Sequence, residues 1–268
     1  MYRYIVSDLD GTLIKDDGTV DEKSLRLIDK YLKNQIIDKF IIATGRHFRE
    51  LKDILELFTY SHNIISICCD GQYIYDFQGN LMNAFDAFVK PGDIPIIMNE
   101  NNIRRVFIIT DKKVYQIIAS PIKRVLLQIK RRVKSNQSAS SIINVSQCEQ
   151  LRQIEKLMIY PKKEKKINLK ELGKKYYVHF LKSGIIEILC TNKFTALEYL
   201  DREAVINLKD TLYFGDDDND VECFQGMVNC IAMKNASETI KLAAKYVTGT
   251  NNEHGVYMAL KDRIGANE

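Results

Sequence analysis

A chain of 268 residues, 46% hydrophobic and 28% charged, has ordinary globular composition and is long enough to bury a sizeable core and to hold two domains. No run approaches the roughly 18 uninterrupted apolar residues of a membrane span. The net charge of +4 conceals a segregation: residues 81–185 carry 21 Lys and Arg against 8 Asp and Glu, a balance of +13, and the remainder carries −9. Two units with different tasks are expected.

The N-terminus enters a strand within five residues, without the apolar core of a signal peptide, so export is not expected. The six cysteines (68, 69, 148, 190, 223, 230) show no C-x-x-C spacing, which argues against a zinc site. Cys68, Cys69 and Cys190 lie in apolar runs and read as small core residues in a reducing cytoplasm.

The first apolar run, Tyr4-Ile5-Val6, leads directly into Asp8-Leu9-Asp10-Gly11-Thr12-Leu13. On an extended backbone Asp8 and Asp10 point to the same side. Carboxylates held that close repel each other unless a cation neutralises them, which suits a hard, oxygen-seeking ion such as Mg²⁺. The plain alternative is a solvated Asp-Gly turn. Asp21 then caps a helix with Leu25, Ile28 and Leu32 at helical spacing. Lys39 to Ala43 is a second strand, ending in Thr44-Gly45-Arg46, and a helix follows with Leu51, Ile54, Leu55 and Phe58 on one face. Ile64 to Cys69 is a third strand, ending at Asp70-Gly71. This alternation predicts a parallel sheet wrapped by helices. Gln72 to Phe77 reads as a hairpin arm and Gln78-Gly79-Asn80 as its turn.

The basic segment predicts a helix near 92–102, strands near 104–110 and 113–119, a helix near 122–134 and a polar loop from Ser135 to Ser141. A strand from Lys156 to Tyr160, a Lys-rich helix over 164–175 and a strand over 177–181 follow. Together these suggest a small antiparallel sheet with helices on one face. Ile185 to Leu189 then returns the chain to a strand. Lys193 to Leu200 reads as a helix, Thr211 to Phe214 as a strand ending in Gly215-Asp216-Asp217-Asp218-Asn219-Asp220, and Val228 to Ala232 as the last clear strand. Helices near 236–244 and 254–263 close the chain. The expected architecture is α/β: a Rossmann-like parallel-sheet core, discontinuous over 1–80 and 186–268, with an inserted α+β domain over 81–185.

Asp8/Asp10, Thr44, Lys193 and Asp216/Asn219/Asp220 all sit just past apolar strands or at a helix start. Ligands of an open parallel sheet bind beyond the carboxyl ends of its strands, so these groups are expected to meet. Carboxylates for Mg²⁺, a hydroxyl and a cation make a set suited to phosphoryl transfer, in which negative charge must be neutralised and positioning does most of the work.

These stretches resemble the haloacid dehalogenase (HAD) superfamily, and more narrowly its Cof-type phosphatases with an α/β cap inserted after the second motif. The motifs occur in family order: Asp8-Leu9-Asp10-Gly11-Thr12, then Thr44-Gly45-Arg46, then Lys193, then Gly215-Asp216-Asp217-Asp218-Asn219-Asp220. Ala232-Met233-Lys234-Asn235-Ala236 and Asn252-Glu253-His254-Gly255-Val256 are similar to C-terminal signatures of that family. The resemblance implies a Mg²⁺-dependent phosphatase of small phosphorylated metabolites, with Asp8 as nucleophile and Asp10 as acid and then base. It implies Mg²⁺ on the Asp8 carboxylate, the Asp10 backbone carbonyl and Asp216, with Asp220 orienting these ligands and Lys193. Thr44, Gly45, Lys193 and Asn219 would hold the phosphate, helped by backbone N–H groups near Gly11.

The chain departs from that pattern at three places. Phe194 stands where Gly commonly follows the lysine, Asp70-Gly71-Gln72 replaces Asn-Gly-Ala, and Met233-Lys234-Asn235 replaces Met-Gly-Asn. None removes a catalytic group. Arg46 is either a substrate contact or a surface arginine at a helix start. His47, His62, His179 and His254 share no ligand spacing and read as structural. The run Lys162 to Lys166 reads as a solvated face rather than a nucleic-acid patch. The other readings are a phosphomutase or phosphotransferase, or a non-catalytic protein binding a phospho-ligand or nucleic acid on the same fold.

Overall fold

Strands hidden on both faces read as near-continuous apolar runs, and the central strands of this protein do. The computed structural model describes residues 2–60, 62–98, 102–111, 113–118, 140–162 and 167–264. Two compact units emerge: Met1–Phe85 together with Thr191–Glu268, and Asp86–Cys190.

In the first unit, β1 (Tyr4–Ser7) lies at the centre, paired in parallel with β2 (Lys39–Ala43) on one side and β12 (Thr211–Gly215) on the other. β3 (Ile64–Cys68) extends the parallel sheet beyond β2, and the hairpin β4 (Tyr73–Asp76) and β5 (Leu81–Ala84) closes that edge in antiparallel fashion. Beyond β12 lie β13 (Cys230–Ala232) and the two-residue β14 (Tyr246–Val247), giving the order β14-β13-β12-β1-β2-β3-β4-β5.

Successive side chains alternate between the faces and build two cores. Ile5, Phe40, Ile42, Leu212 and Phe214 meet α1 (Glu22–Lys33), α2 (Lys52–Leu55) and α7 (Gly255–Arg263), whereas Val6, Ile41, Ala43, Ile65, Ile67 and Tyr213 meet α4 (Lys193–Arg202), α5 (Val221–Gly226) and α6 (Glu238–Ala243). Each such buried side chain is worth about 1.5–3 kcal/mol relative to exposure. Asp21 caps α1, as its sequence position predicts: its carboxylate accepts from Lys23 N and from Ser24 Oγ and pairs with His254.

The second unit is a six-stranded sheet, β10-β11-β9-β6-β7-β8, built from β6 (Ile103–Thr110), β7 (Val114–Ile117), β8 (Ser140–Ile143), β9 (Ile154–Pro161), β10 (Tyr177–Phe180) and β11 (Ile186–Leu189). All neighbours are antiparallel except β7 and β8. The short α3 (Ile94–Met98), preceded by a 3₁₀ turn at Pro91–Asp93, buries Ile94 and Ile97 in this unit's own core with Val106, Ile108, Leu157 and Ile188. A buried ion pair, Lys156 Nζ to Glu187 Oε1 at 3.0 Å, joins β9 to β11.

Several expected elements differ. Ile186–Leu189 does not return to the parallel sheet: it pairs on both sides with strands of the second unit. The crossings therefore fall at Phe85/Asp86 and Cys190/Thr191, and the hairpin strand β5 belongs to the first unit. Ser140 and Ser141, expected in a loop, begin β8, where Ile142 and Ile143 supply the apolar register. The expected helix over 122–134 and residues 135–139 lie outside the described residues. Of the Lys-rich helix expected over 164–175, residues 164–166 lie outside the described residues, and over 167–175 the 3₁₀ turn Leu172–Lys174 forms; Asn168 accepts from Lys170 N in a local turn that competes with a helix. The helix expected before Phe58 shortens to a 3₁₀ turn at Phe48–Glu50 and α2, and Val228 stays outside β13 with its side chain exposed. No helix among the described residues is long and apolar enough to cross a membrane.

Candidate active site

The carboxyl ends of β1, β2, β3 and β12 open on one edge of the sheet, and the polar motifs follow them directly: Asp8 after β1, Thr44 after β2, Asp70 after β3 and Asp216 after β12. Lys193 opens α4, whose N-cap Asn192 accepts from Thr195 N. The ammonium of Lys193, wholly buried, lies 2.6 Å from Asp8 Oδ1 and 2.6 Å from Asp220 Oδ1. One oxygen from each of Asp8, Asp216 and Asp220 lies within 4.8 Å of the others.

Asp220 is saturated. Its Oδ1 accepts from Lys193 Nζ and from the Tyr213 hydroxyl at 2.6 Å, and its Oδ2 accepts from the backbone N–H of Asp216 at 2.9 Å and of Asp217 at 3.3 Å. Asp216, also buried, accepts from Thr12 Oγ1 at 3.0 Å. Burial pushes the Asp8 carboxyl up from its usual range; Lys193 opposes this, and Asp220 and Asp216 add to it. Burial works against the Lys193 ammonium, but the Asp220 and Asp8 carboxylates outweigh it and hold the amine protonated. Two buried carboxylates, Asp8 and Asp220, thus touch one ammonium, and a third, Asp216, lies beside them. Such a cluster of carboxylate oxygens matches what a hard divalent ion needs.

Asp10 does not join this cluster. The strand ends at Ser7, Leu9 turns into the core, and the Asp10 side chain is more than half exposed. It faces Arg46, whose Nε donates to Oδ2 at 2.9 Å and whose Nη2 lies 2.5 Å from Oδ1. Because β1 ends at Ser7, strand alternation does not set the direction of Asp10, and the Arg46 that pairs with it also senses the Asp8 charge. The carboxylates next to Asp8 come from the far side of the sequence instead.

Thr44 is buried and its Oγ1 accepts from Arg46 N at 3.2 Å; Gly45 forms the bend between them. Asn219, half-buried, donates from Nδ2 to Asp70 Oδ1 at 3.1 Å. The C-terminal signatures hold the segment after β1: Asn235 Nδ2 donates to Gly11 O at 2.7 Å, and Asn252 Nδ2 to Asp16 Oδ2 at 2.8 Å. Tyr213 and Thr12 lie in this cluster although sequence reasoning assigned them no role, and Asp70, expected with Gln72 near a leaving group, instead accepts from Asn219. Tyr213 is hidden inside an apolar run and gives no signal; Thr12 sits within the first motif, and Asp70 was visible only as a departure from a family pattern.

Residues 5–260 match the family model described as haloacid dehalogenase-like hydrolase. The chain is 25% identical over 276 residues to MG265 of Mycoplasma genitalium, provisionally named a phosphatase, covering 96% of each chain. It is 24% identical over 271 residues to the 5-amino-6-(5-phospho-D-ribitylamino)uracil phosphatase YitU of Bacillus subtilis, again covering 96% of each. Among solved structures, the HAD subclass IIB sugar phosphatase BT4131 superposes with a TM-score of 0.72 at 16% identity, covering 97% of this chain and 98% of that one.

Proposed function

This chain belongs to the haloacid dehalogenase-like hydrolases, and we propose that within that family it is a Mg²⁺-dependent phosphomonoesterase of small phosphorylated metabolites. The observation that carries the reading is Asp8: a buried carboxylate just beyond the central strand, touching the Lys193 ammonium and flanked by Asp216 and Asp220. Sugar phosphates and similar esters are the proposed substrates, a class that the names of YitU and BT4131 support.

Asp8 Oδ attacks phosphorus, forming an aspartyl-phosphate as the ester P–O bond breaks. Asp10 gives its proton to the departing alkoxide. It then takes a proton from water, which attacks the same phosphorus, releases inorganic phosphate and returns Asp8 to a carboxylate. To act as an acid Asp10 must leave the Arg46 guanidinium, and a substrate phosphate dianion is a suitable new partner for that arginine. Lys193, Thr44, Gly45 and Asn219 are proposed to hold phosphoryl oxygens, and Asp220 to fix Lys193. The Asp8 and Asp216 carboxylates and the Asp10 carbonyl would hold Mg²⁺, which supplies charge neutralisation at the phosphoryl group.

The test is phosphate release from p-nitrophenyl phosphate and a panel of sugar phosphates, with and without Mg²⁺, beside Asp8→Asn. Turnover that needs Mg²⁺ and is lost in the variant is expected. Undiminished turnover by Asp8→Asn would remove the aspartyl-phosphate, and folded protein inert on every ester would favour a phospho-ligand-binding role.

A further inference from the structure

Asp70-Gly71-Gln72 occupies a turn that the proposed mechanism does not use. Cys69, Asp70 and Gly71 take φ of +51°, +50° and +95° in succession, a left-handed run in which only one residue is glycine. Asp70 is completely buried, and its N–H donates to Thr44 O at 3.0 Å, so the turn hangs from the loop that carries Thr44. Gly71 packs flush on the start of α4: a β-carbon there would lie 2.0 Å from Asn192 O, one residue before Lys193. The Asp70 carboxylate accepts from Asn219 Nδ2. One turn therefore braces the segments bearing Thr44, Lys193 and Asn219.

We propose that Asp70 is a positioning residue that fixes which way the Asn219 carboxamide faces, so that its NH₂ group rather than its carbonyl serves the phosphoryl oxygens; this rests on the phosphate-binding role proposed above for Asn219. Asp70 Oδ1 accepts from Asn219 Nδ2, which turns the carboxamide nitrogen toward it and leaves the second N–H on that nitrogen to face an anion. An asparagine at position 70 offers both a donor and an acceptor and stabilises either orientation of Asn219. In the reversed orientation the Asn219 carbonyl repels the phosphate. The acidic residue at position 70 thus imposes an orientation that an amide leaves free. Strained left-handed residues persist where surrounding contacts over-determine them, and the three contacts of this turn do so.

The experiment is a double-mutant cycle on Asp70→Asn, Asn219→Ala and their combination. It is read by calorimetric binding of inorganic phosphate with Mg²⁺ present, with p-nitrophenyl phosphate turnover and melting measured in parallel. Asp70→Asn is expected to weaken phosphate binding about five- to tenfold when Asn219 is present and less than about twofold when it is alanine. Equal losses in both backgrounds, as a general structural role would give, overturn the proposal, as does no loss in the Asn219 background. If Asp70→Asn does not fold, Asp70→Ser is read by the same criteria. Coupled phosphate binding without turnover overturns the phosphatase reading and leaves the positioning role standing. Turnover without coupling overturns the positioning role alone.

Discussion

At Gly11 the backbone takes φ of +88°, and a β-carbon would stand 2.4 Å from Asp216 Oδ2, an oxygen of the carboxylate proposed to hold the cation. Gly11→Ala must displace the Asp216 carboxylate, which accepts from Thr12 and lies beside Asp8. The expected result is a half-saturating Mg²⁺ concentration raised about 10–100-fold in the phosphatase assay, with the fold retained. An unchanged Mg²⁺ requirement would place the cation elsewhere. Lys193 supplies a complementary case. Lys193→Met keeps the stem but leaves Asp8 and Asp220 buried without their cation, a loss of about 3–5 kcal/mol where a buried pair is broken on one side. Urea denaturation in a chelator measures it; a change near zero would show that the carboxylates take up protons without cost. Asp8, Lys193 and Asp216 were legible because each directly follows an apolar strand or begins a helix, and strand ends are where an open sheet gathers its chemistry. Asp10 was legible as a motif member but not in its placement. Its exposure and its pairing with Arg46 depend on where the strand ends, and the apolar pattern through Leu9 conceals that end.

Among the elements, the parallel strands were legible because burial on both faces leaves near-continuous apolar runs, and in the inserted unit β8 was not, because the polar Ser140 and Ser141 open it. Ile186–Leu189 is as apolar as a central parallel strand, so composition alone could not assign it to β9 and β10 rather than to the first sheet. Partner choice is a property of register and chain path, which a local run does not encode. What holds α3 in that unit is partly electrostatic. Asp93, just before the helix, accepts from Lys175 Nζ at 2.8 Å and from the Tyr176 hydroxyl at 2.5 Å. Burial works against its charge, but these two donors more than offset it and hold the carboxyl below its ordinary range. A carboxyl depressed in the folded state binds fewer protons there than in the unfolded chain, so its stabilisation is complete above the unfolded value, about 3.9, and is lost as pH falls below it. Asp93→Asn is therefore expected to lower stability at neutral pH, and the gap from the parent should narrow as pH drops from about 4 toward the depressed value. Denaturant titrations at a series of pH values check this; a gap independent of pH would assign the loss to packing.

For the whole molecule, the separation of charge is the feature least dictated by the fold. Neither sheet needs residues 81–185 to carry a balance of +13 while the rest carries −9. Lysines on a solvated face serve solubility, yet a surplus of this size on one segment also sets up a field reaching about a Debye length, ~10 Å at 0.1 M salt. Phosphate monoesters are dianions near neutral pH and respond to that field before they touch any residue. Steering of this kind raises the encounter rate and leaves the chemistry of the bound complex alone, so it acts on kcat/KM and not on kcat. Raising the ionic strength from about 0.02 M to about 0.5 M, with a salt that does not bind the site, shortens the field to a few ångströms, and kcat/KM is expected to fall roughly tenfold or more while kcat holds. A neutral viscogen at constant salt separates the two effects, since it slows encounter without touching the field. If kcat/KM does not respond to salt, the basic surplus serves solubility alone and the attraction of the ester rests on Lys193 and the divalent ion proposed for the cluster.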